Sequence, residues 1–283
     1  MTGRRILSGI IFFAVFLLGL FHPWFFWLPP LILLVASIWG VWEYAHLGAK
    51  HPTRPQLVLA MLGAVALLAD AYFFSLNDAA IIIALMSVCM FAGGLWFHGE
   101  DAPAAFGKMI VGPIYVALPL AMLLKLWIDN LGINPEFPNA GAHYILFLIF
   151  VTWSNDTGAY FVGRAFGKHK IVPRISPGKS LEGYIGGFVF SLAVAMVMWW
   201  QWNNVQALFS WPKALTLAVL INIVAPIGDL AESQLKRSVK VKDSGQTFTG
   251  HGGMLDRLDS LLFTIVVYYA FLFFFAPEAF PRD

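Results

Sequence analysis

Cysteine is almost missing from this chain. Cys89 is the only one and lies inside an apolar run, which excludes an intrachain disulfide and a multi-cysteine zinc or iron–sulfur site. Charge is scarce too, at 12% of residues against 59% hydrophobic ones, and no stretch is left from which a separate soluble domain could form. Several catalytic signatures are also absent: there is no GxSxG, no His/Cys spacing of the zinc type, and no defensible Ser/His/Asp set. The fragment GKS at Gly178–Ser180 fails as a P-loop, because the first glycine of GxxxxGK[ST] would fall at Pro173. A net charge of +2 says little by itself, and its placement says more; no nucleic-acid partner is expected.

What is present is sequence suited to lipid, with 26 Phe and 11 Trp. Apolar runs approaching the ~20 residues that cross a bilayer recur along its length. They predict an all-α, polytopic integral membrane protein of about nine transmembrane helices. The spans are Ile6–Phe21, Trp24–Trp42, Leu57–Phe74, Ala80–Phe97, Met109–Ile128, Tyr144–Phe166, Tyr184–Trp202, Ala214–Asp229 and Leu261–Ala276. Five form an N-terminal region, 1–142, and four with their loops a C-terminal region, 143–283. Arg4 and Arg5 before an apolar run could pass for a signal peptide, but no small-x-small cleavage site follows, so a retained anchor is expected. With the N-terminus inside, only Lys125, Lys213 and Arg282 of the 18 Lys and Arg residues fall off the cytoplasmic side. That asymmetry predicts cytoplasmic polar loops.

The N-terminal region is mostly membrane filler. Glu43 and His46 close the second span; Glu43 could face a bundle interior, but a solvated helix end is the favoured expectation. The sixth span differs. Asp156 stands about ten residues before its end, roughly 15 Å below the cytoplasmic edge at ~1.5 Å per residue. A carboxylate at that depth is a functional-site candidate. Ser154, Asn155, Thr157 and Gly158 beside it predict a broken helix lining a polar cavity.

The loop that follows carries Lys168, Lys170, Arg174, Ser176 and Lys179. Its basic residues are either positive-inside anchors or phosphate binders. Lys179 is the better phosphate candidate, because SPGK directly precedes a helix start.

The densest polar stretch is SQLKRSVKVKDSGQTFTGHGGMLDRLDS, Ser233–Ser260. Asp229 sits at its entrance, at the mouth of the eighth span. If that helix continues, Asp229 and Glu232, and Glu232 and Lys236, are same-side neighbours. Asp256 and Asp259 share a face at the start of the ninth helix, with Arg257 turned aside. Asp259 is equally read as a dipole partner of that N-terminus, and His251 as a phosphate donor or a loop residue. Asp229 and Asp256 come from consecutive spans meeting one membrane face, so they can converge. Two carboxylates with ligand phosphates suit Mg²⁺. Together with lysines on glycine-bent backbone they point to phosphoryl or nucleotidyl transfer.

This stretch, read as SxLKRx4KDSGx2FxGHGGxLDRLD, closely resembles the signature of phosphatidate cytidylyltransferases (CDP-diacylglycerol synthases). The resemblance joins Ser233, Lys236, Arg237, Lys242, Asp243, Gly245, Phe248, His251, Gly252, Gly253, Asp256, Arg257 and Asp259. It extends to DTGAY at Asp156–Tyr160, GKHK at Gly167–Lys170, SPGK at Ser176–Lys179 and GDL at Gly228–Leu230, and so covers the chain from about Val151 onward. Thr249 departs from the family's usual Pro or Ser.

The resemblance implies CTP and phosphatidate as substrates, CDP-diacylglycerol and pyrophosphate as products, Mg²⁺ as cofactor, a cell-membrane location and a homodimer. Asp229 and Asp256 are then the metal ligands. With Lys236, Arg237, Asp243 and Asp259 they form the expected catalytic set. Asp156, Ser176, Lys179, Ser233, Lys242, Gly245, His251, Gly252, Gly253 and Arg257 are expected to bind substrate. Three other readings stand beside this one: a CTP-using lipid kinase transferring the γ-phosphate, with Asp243 or Asp156 as base; an ion-coupled transporter; and a scaffold gripping anionic lipid. Only one strong helix break and no internal repeat support the transporter, and the scaffold has no use for the carboxylates.

Overall fold

Prolines and polar residues at the ends of the apolar runs decide where helices begin. The computed structural model describes residues 13–48, 52–93, 102–131, 139–245 and 252–280, and among these every extended element is a helix. Residues 13–21 are helical and lead into a 3₁₀ turn, Pro23–Phe25, whose Trp24 N–H donates to His22 Nδ1. Helix α1 is Leu28–His46. Pro29 and Pro30 lie within the membrane-length segment Pro23–His46, as expected, and occupy the first turn of α1, where a missing N–H leaves nothing unpaired. Helix α2, Arg54–Phe73, starts with a capping box in which the Gln56 side chain accepts the Thr53 N–H at 3.0 Å. Helix α3 is Ala79–Gly93.

Helix α4 runs over 102–128 with a π turn at Pro113–Ala117, the ladder shifting where Pro113 cannot donate. Helices α5 (Ala140–Phe166) and α6 (Leu181–Gln201) follow. A short helix, Asn203–Leu208, precedes α7 (Trp211–Ser238), and α8 is Leu255–Phe275. Seven helices among the described residues are long and apolar enough to cross a membrane; α3 is apolar but shorter. Of the expected N-terminal anchor, residues 6–12 lie outside the described residues and 13–21 are helical.

The core centres on α4 and α5, where Leu120, Leu124, Trp127, Ile145, Phe147 and Leu148 are buried. Large apolar side chains such as Leu62, Val88, Phe91, Val189 and Phe274 point outward, as lipid-facing positions do. Helices α5 and α6 press together through glycine: a Cβ on Gly187 would lie 2.6 Å from the Asn155 carbonyl oxygen. A polar layer ties four helices together. Asn155 donates to Asn222 on α7, Thr152 Oγ1 lies 3.5 Å from Thr264 Oγ1 on α8, and Ser191 Oγ on α6 donates to Val151 O at 2.9 Å.

The expected break in the sixth span does not occur. Helix α5 continues through Ser154–Gly158, because its polar side chains find partners on neighbouring helices or on its own preceding turn. At ~1.5 Å per residue, α5 and α7 reach about 40 Å, more than the ~30 Å hydrocarbon core. Their polar last turns therefore extend past the apolar bundle, and the candidate site is built there.

Candidate active site

Helix α7 does not stop at Asp229 but runs about two and a half more turns to Ser238, placing Asp229, Glu232, Ser233 and Lys236 along one helix. Ser233 Oγ donates to Asp229 Oδ1 at 3.3 Å. Helix α8 starts at Leu255, six residues before the expected span, so Asp256 and Asp259 lie in its first turns. A Cβ on Gly228 would stand 2.7 Å from the Asp259 carbonyl oxygen; that close approach brings the carboxylates of α7 and α8 to the same level.

Lys236 is the pivot. Its ammonium lies 2.5 Å from Asp256 Oδ1 and 3.2 Å from Glu232 Oε1. Glu232 is almost completely buried, and among the described residues its Oε2 has no hydrogen-bond partner. Asp256 Oδ2 is held by three donors: the Ser244 N–H at 2.9 Å, the Ser244 hydroxyl at 3.0 Å and the Gly253 N–H at 2.8 Å. Only glycine suits the backbone there. Gly252 has φ +76°, and a Cβ on Gly253 would fall 2.2 Å from Ser244 Oγ.

Lys179 forms the second ion pair, 2.8 Å from Asp229 Oδ2, and reaches the Pro226 carbonyl oxygen at 3.3 Å. Its loop is closed by an antiparallel bridge between Lys170 and Ser180, with Leu181 N–H donating to His169 O at 2.8 Å. Ser176 turns the loop through its own backbone groups, its N–H donating to Val172 O and its carbonyl oxygen accepting from Lys179. Glu182 accepts the Lys168 N–H at 3.0 Å and pairs with His169 Nδ1 at 2.5 Å.

Asp156 is exposed toward this centre and interacts electrostatically with Asp259, Asp229 and Lys179. Asp259 also interacts with Glu232 and Asp229, and so links the two lysine-centred pairs. Asp229 and Asp256 have different counter-ions, Lys179 and Lys236. The other predicted residues lie at the margin. Arg237 is exposed and donates to Val241 O at 3.0 Å; Lys242, Asp243 and Arg257 are exposed; Gly245 is half-buried. His251 and the neighbouring Phe248, Thr249 and Gly250 fall outside the described residues.

Glu43 takes the less favoured of its two expected places, the bundle interior. It is not solvated but fully buried, and its Oε2 accepts the Leu255 N–H at 3.0 Å and the Ser244 hydroxyl at 3.1 Å. The available signal was an acidic residue at the end of an otherwise uncharged apolar helix.

Five carboxylates (Asp156, Asp229, Glu232, Asp256 and Asp259) face two ammonium groups, Lys179 and Lys236. An oxygen-only donor set with excess negative charge and an orphaned buried Glu232 oxygen fits a hard divalent cation. Among the described residues no three acidic, His or Cys side chains are already gathered around one point. Mg²⁺ usually takes one or two carboxylates and completes its shell with water and substrate phosphates.

Such a centre, at the polar ends of membrane-length helices, is that of a membrane-embedded enzyme handling phosphorylated substrates. The chain belongs to the cytidylyltransferase family, whose sequence profile matches residues 3–275. The phosphatidate cytidylyltransferase of Haemophilus influenzae is 31% identical over 301 residues, covering 97% of this chain and 99% of its own. Those of Staphylococcus saprophyticus and Staphylococcus haemolyticus are 45% and 47% identical over 130 and 128 residues, which is 46% and 44% of this chain and 49% and 47% of theirs.

Proposed function

We propose that this chain transfers the cytidylyl group of CTP to phosphatidate, giving CDP-diacylglycerol and pyrophosphate. The observation that carries this reading is the near full-length similarity to a phosphatidate cytidylyltransferase. The centre of paired lysines and carboxylates supports it.

A phosphate monoester has a second pKa of ~6, so phosphatidate is largely dianionic at neutral pH and needs no strong base. One of its phosphate oxygens attacks the α-phosphorus of CTP. A P–O bond forms there as the bond to the departing pyrophosphate breaks. The difficulty is to bring two polyanions together and to hold the growing charge on pyrophosphate, which is a matter of position and electrostatics. Lys179 and Lys236 answer it by exchanging carboxylate partners for phosphate oxygens, and Arg237 and Lys242 add positive charge at the margin. The carboxylates uncovered by that exchange, Asp229 and Asp256, would hold Mg²⁺, which neutralises phosphate charge when bound.

In this reading the chain crosses the cell membrane nine times, with its N-terminus and site loops in the cytoplasm. Lipid tails stay in hydrocarbon while CTP arrives from the aqueous side, and the functional unit is a homodimer.

The test is to incubate the purified protein in detergent with phosphatidate, Mg²⁺ and CTP labelled at either the α- or the γ-phosphate. The expected result is a liponucleotide carrying the α-label, with the γ-label released in pyrophosphate. A lipid product carrying the γ-label would replace this reading with that of a CTP-using kinase.

A further inference from the structure

We infer that Glu43, from the N-terminal half, is a positioning residue for the reaction centre, acting on Asp256 through the hydroxyl of Ser244. The inference rests on the proposed cytidylyl transfer. Glu43 lies on α1, about 200 residues from the loop it holds, and outside the motif stretch where the chemistry is concentrated. Its carboxylate is fully buried, and a buried carboxylate is retained only where donors satisfy it.

Its donors include the first helical N–H of α8, at Leu255, and the Ser244 hydroxyl. That same hydroxyl lies 3.0 Å from Asp256 Oδ2. A serine hydroxyl has one proton to donate, so Glu43 and Asp256 compete for it. Ser244 is thereby fixed between the two carboxylates. Its N–H meanwhile stays on Asp256 Oδ2, which leaves Oδ1 turned to Lys236.

The surrounding backbone is cut to fit this carboxylate. A Cβ on Gly245 would stand 2.7 Å from Glu43 Oε1, and one on Gly253 only 2.3 Å from Oε2. One turn earlier on α1, a Cβ on Gly40 would meet Val116 at 2.7 Å and Leu255 at 3.7 Å, so α1 is packed against the first residue of α8. A simple buried cap would need only the Leu255 N–H. The shared serine and the two glycines tie Glu43 to the segment that sets Asp256.

The experiment uses the full chain in detergent and reads two quantities: turnover of CTP with phosphatidate, and hydrogen exchange at the Ser244 and Leu255 amides. In Glu43→Gln, kcat is expected to fall at least ~10-fold while KM for CTP stays within ~3-fold, and both amides exchange faster. Ser244→Ala, which removes the shared hydroxyl and no charge, lowers kcat in the same direction. The double variant is expected to be no worse than the poorer single one, as for residues acting through one contact.

A folded Glu43→Gln with kcat within about twofold of wild type, or losses that simply add in the double variant, overturns the inference. If Glu43→Gln does not fold, Ser244→Ala decides alone, and unchanged kcat there overturns it. If the unaltered protein makes no liponucleotide, the reaction assignment fails separately. The exchange rates still read the coupling, and unaltered exchange overturns it.

Discussion

Lys236 sits between two carboxylates, Asp256 and the buried Glu232, so removing it does two separable things. It takes a cation from the site and leaves Glu232 buried without its counter-charge; breaking a buried pair in that way costs about 3–5 kcal/mol. Lys236→Ala is therefore expected to lower both the thermal midpoint and kcat/KM for CTP. Adding Glu232→Gln should recover part of the thermal loss, since the uncompensated charge is gone, but not the turnover; calorimetry alongside steady-state kinetics checks both. Asp229 and Asp256 divide differently. Both Asp→Asn changes should reduce turnover at least ~100-fold, about 2.7 kcal/mol of barrier. Asp229→Asn should leave the thermal midpoint close to wild type, because its ion pair with Lys179 is partly exposed and screened. Asp256→Asn should lower it, because that carboxylate also gathers the Ser244 and Gly253 amides.

At the scale of elements, the polar stretch was legible because charge and glycine stand out in a chain that is 59% hydrophobic. The helix ends were not. The apolar run of α7 ends at Asp229 and leaves open whether the helix goes on; the i, i+3 and i, i+4 pairs from Asp229 to Lys236 carry it to Ser238. Around Asp156 the polar cluster predicts a break that the helix does not have. In the structure Asn155 meets Asn222 across the bundle, and the helix needs no break to satisfy it. Sequence spacing along one helix cannot reveal a partner 67 residues away, nor could it place Glu43 beside Ser244. The same limit applies to the α5–α6 seam, whose glycines matter only because the two backbones touch. On Gly158 a Cβ would lie 2.7 Å from Phe190 Cβ and 3.1 Å from the Gly186 carbonyl oxygen. Gly158→Val must push the helices apart, an overpacking cost of roughly 1–3 kcal/mol. The expected result is a lower thermal midpoint, with turnover reduced because Asp156 and Lys179 ride on the two separated elements.

For the whole molecule, the proposed orientation rests on charge placement, and the fold turns it into a distance. The Lys179 loop opens α6, and 21 residues of helix at ~1.5 Å each carry the chain about 30 Å to the short helix Asn203–Leu208. The exposed Gln206 therefore lies at the opposite end of the bundle from the exposed Lys240 in the loop after α7. With Cys89 replaced by Ala, Lys240→Cys and Gln206→Cys each leave one exposed thiol at opposite ends. A membrane-impermeant maleimide applied to intact cells is expected to label Gln206→Cys at once and Lys240→Cys only after permeabilisation. The reverse pattern would put the lysine-rich end outside, away from cytoplasmic CTP. Labelling of both from one side would mean that α6 does not cross the membrane. The expected pattern is what the chemistry requires: Lys179 and Lys236 can exchange carboxylates for nucleotide phosphates only if their end of the bundle faces the compartment that supplies the nucleotide.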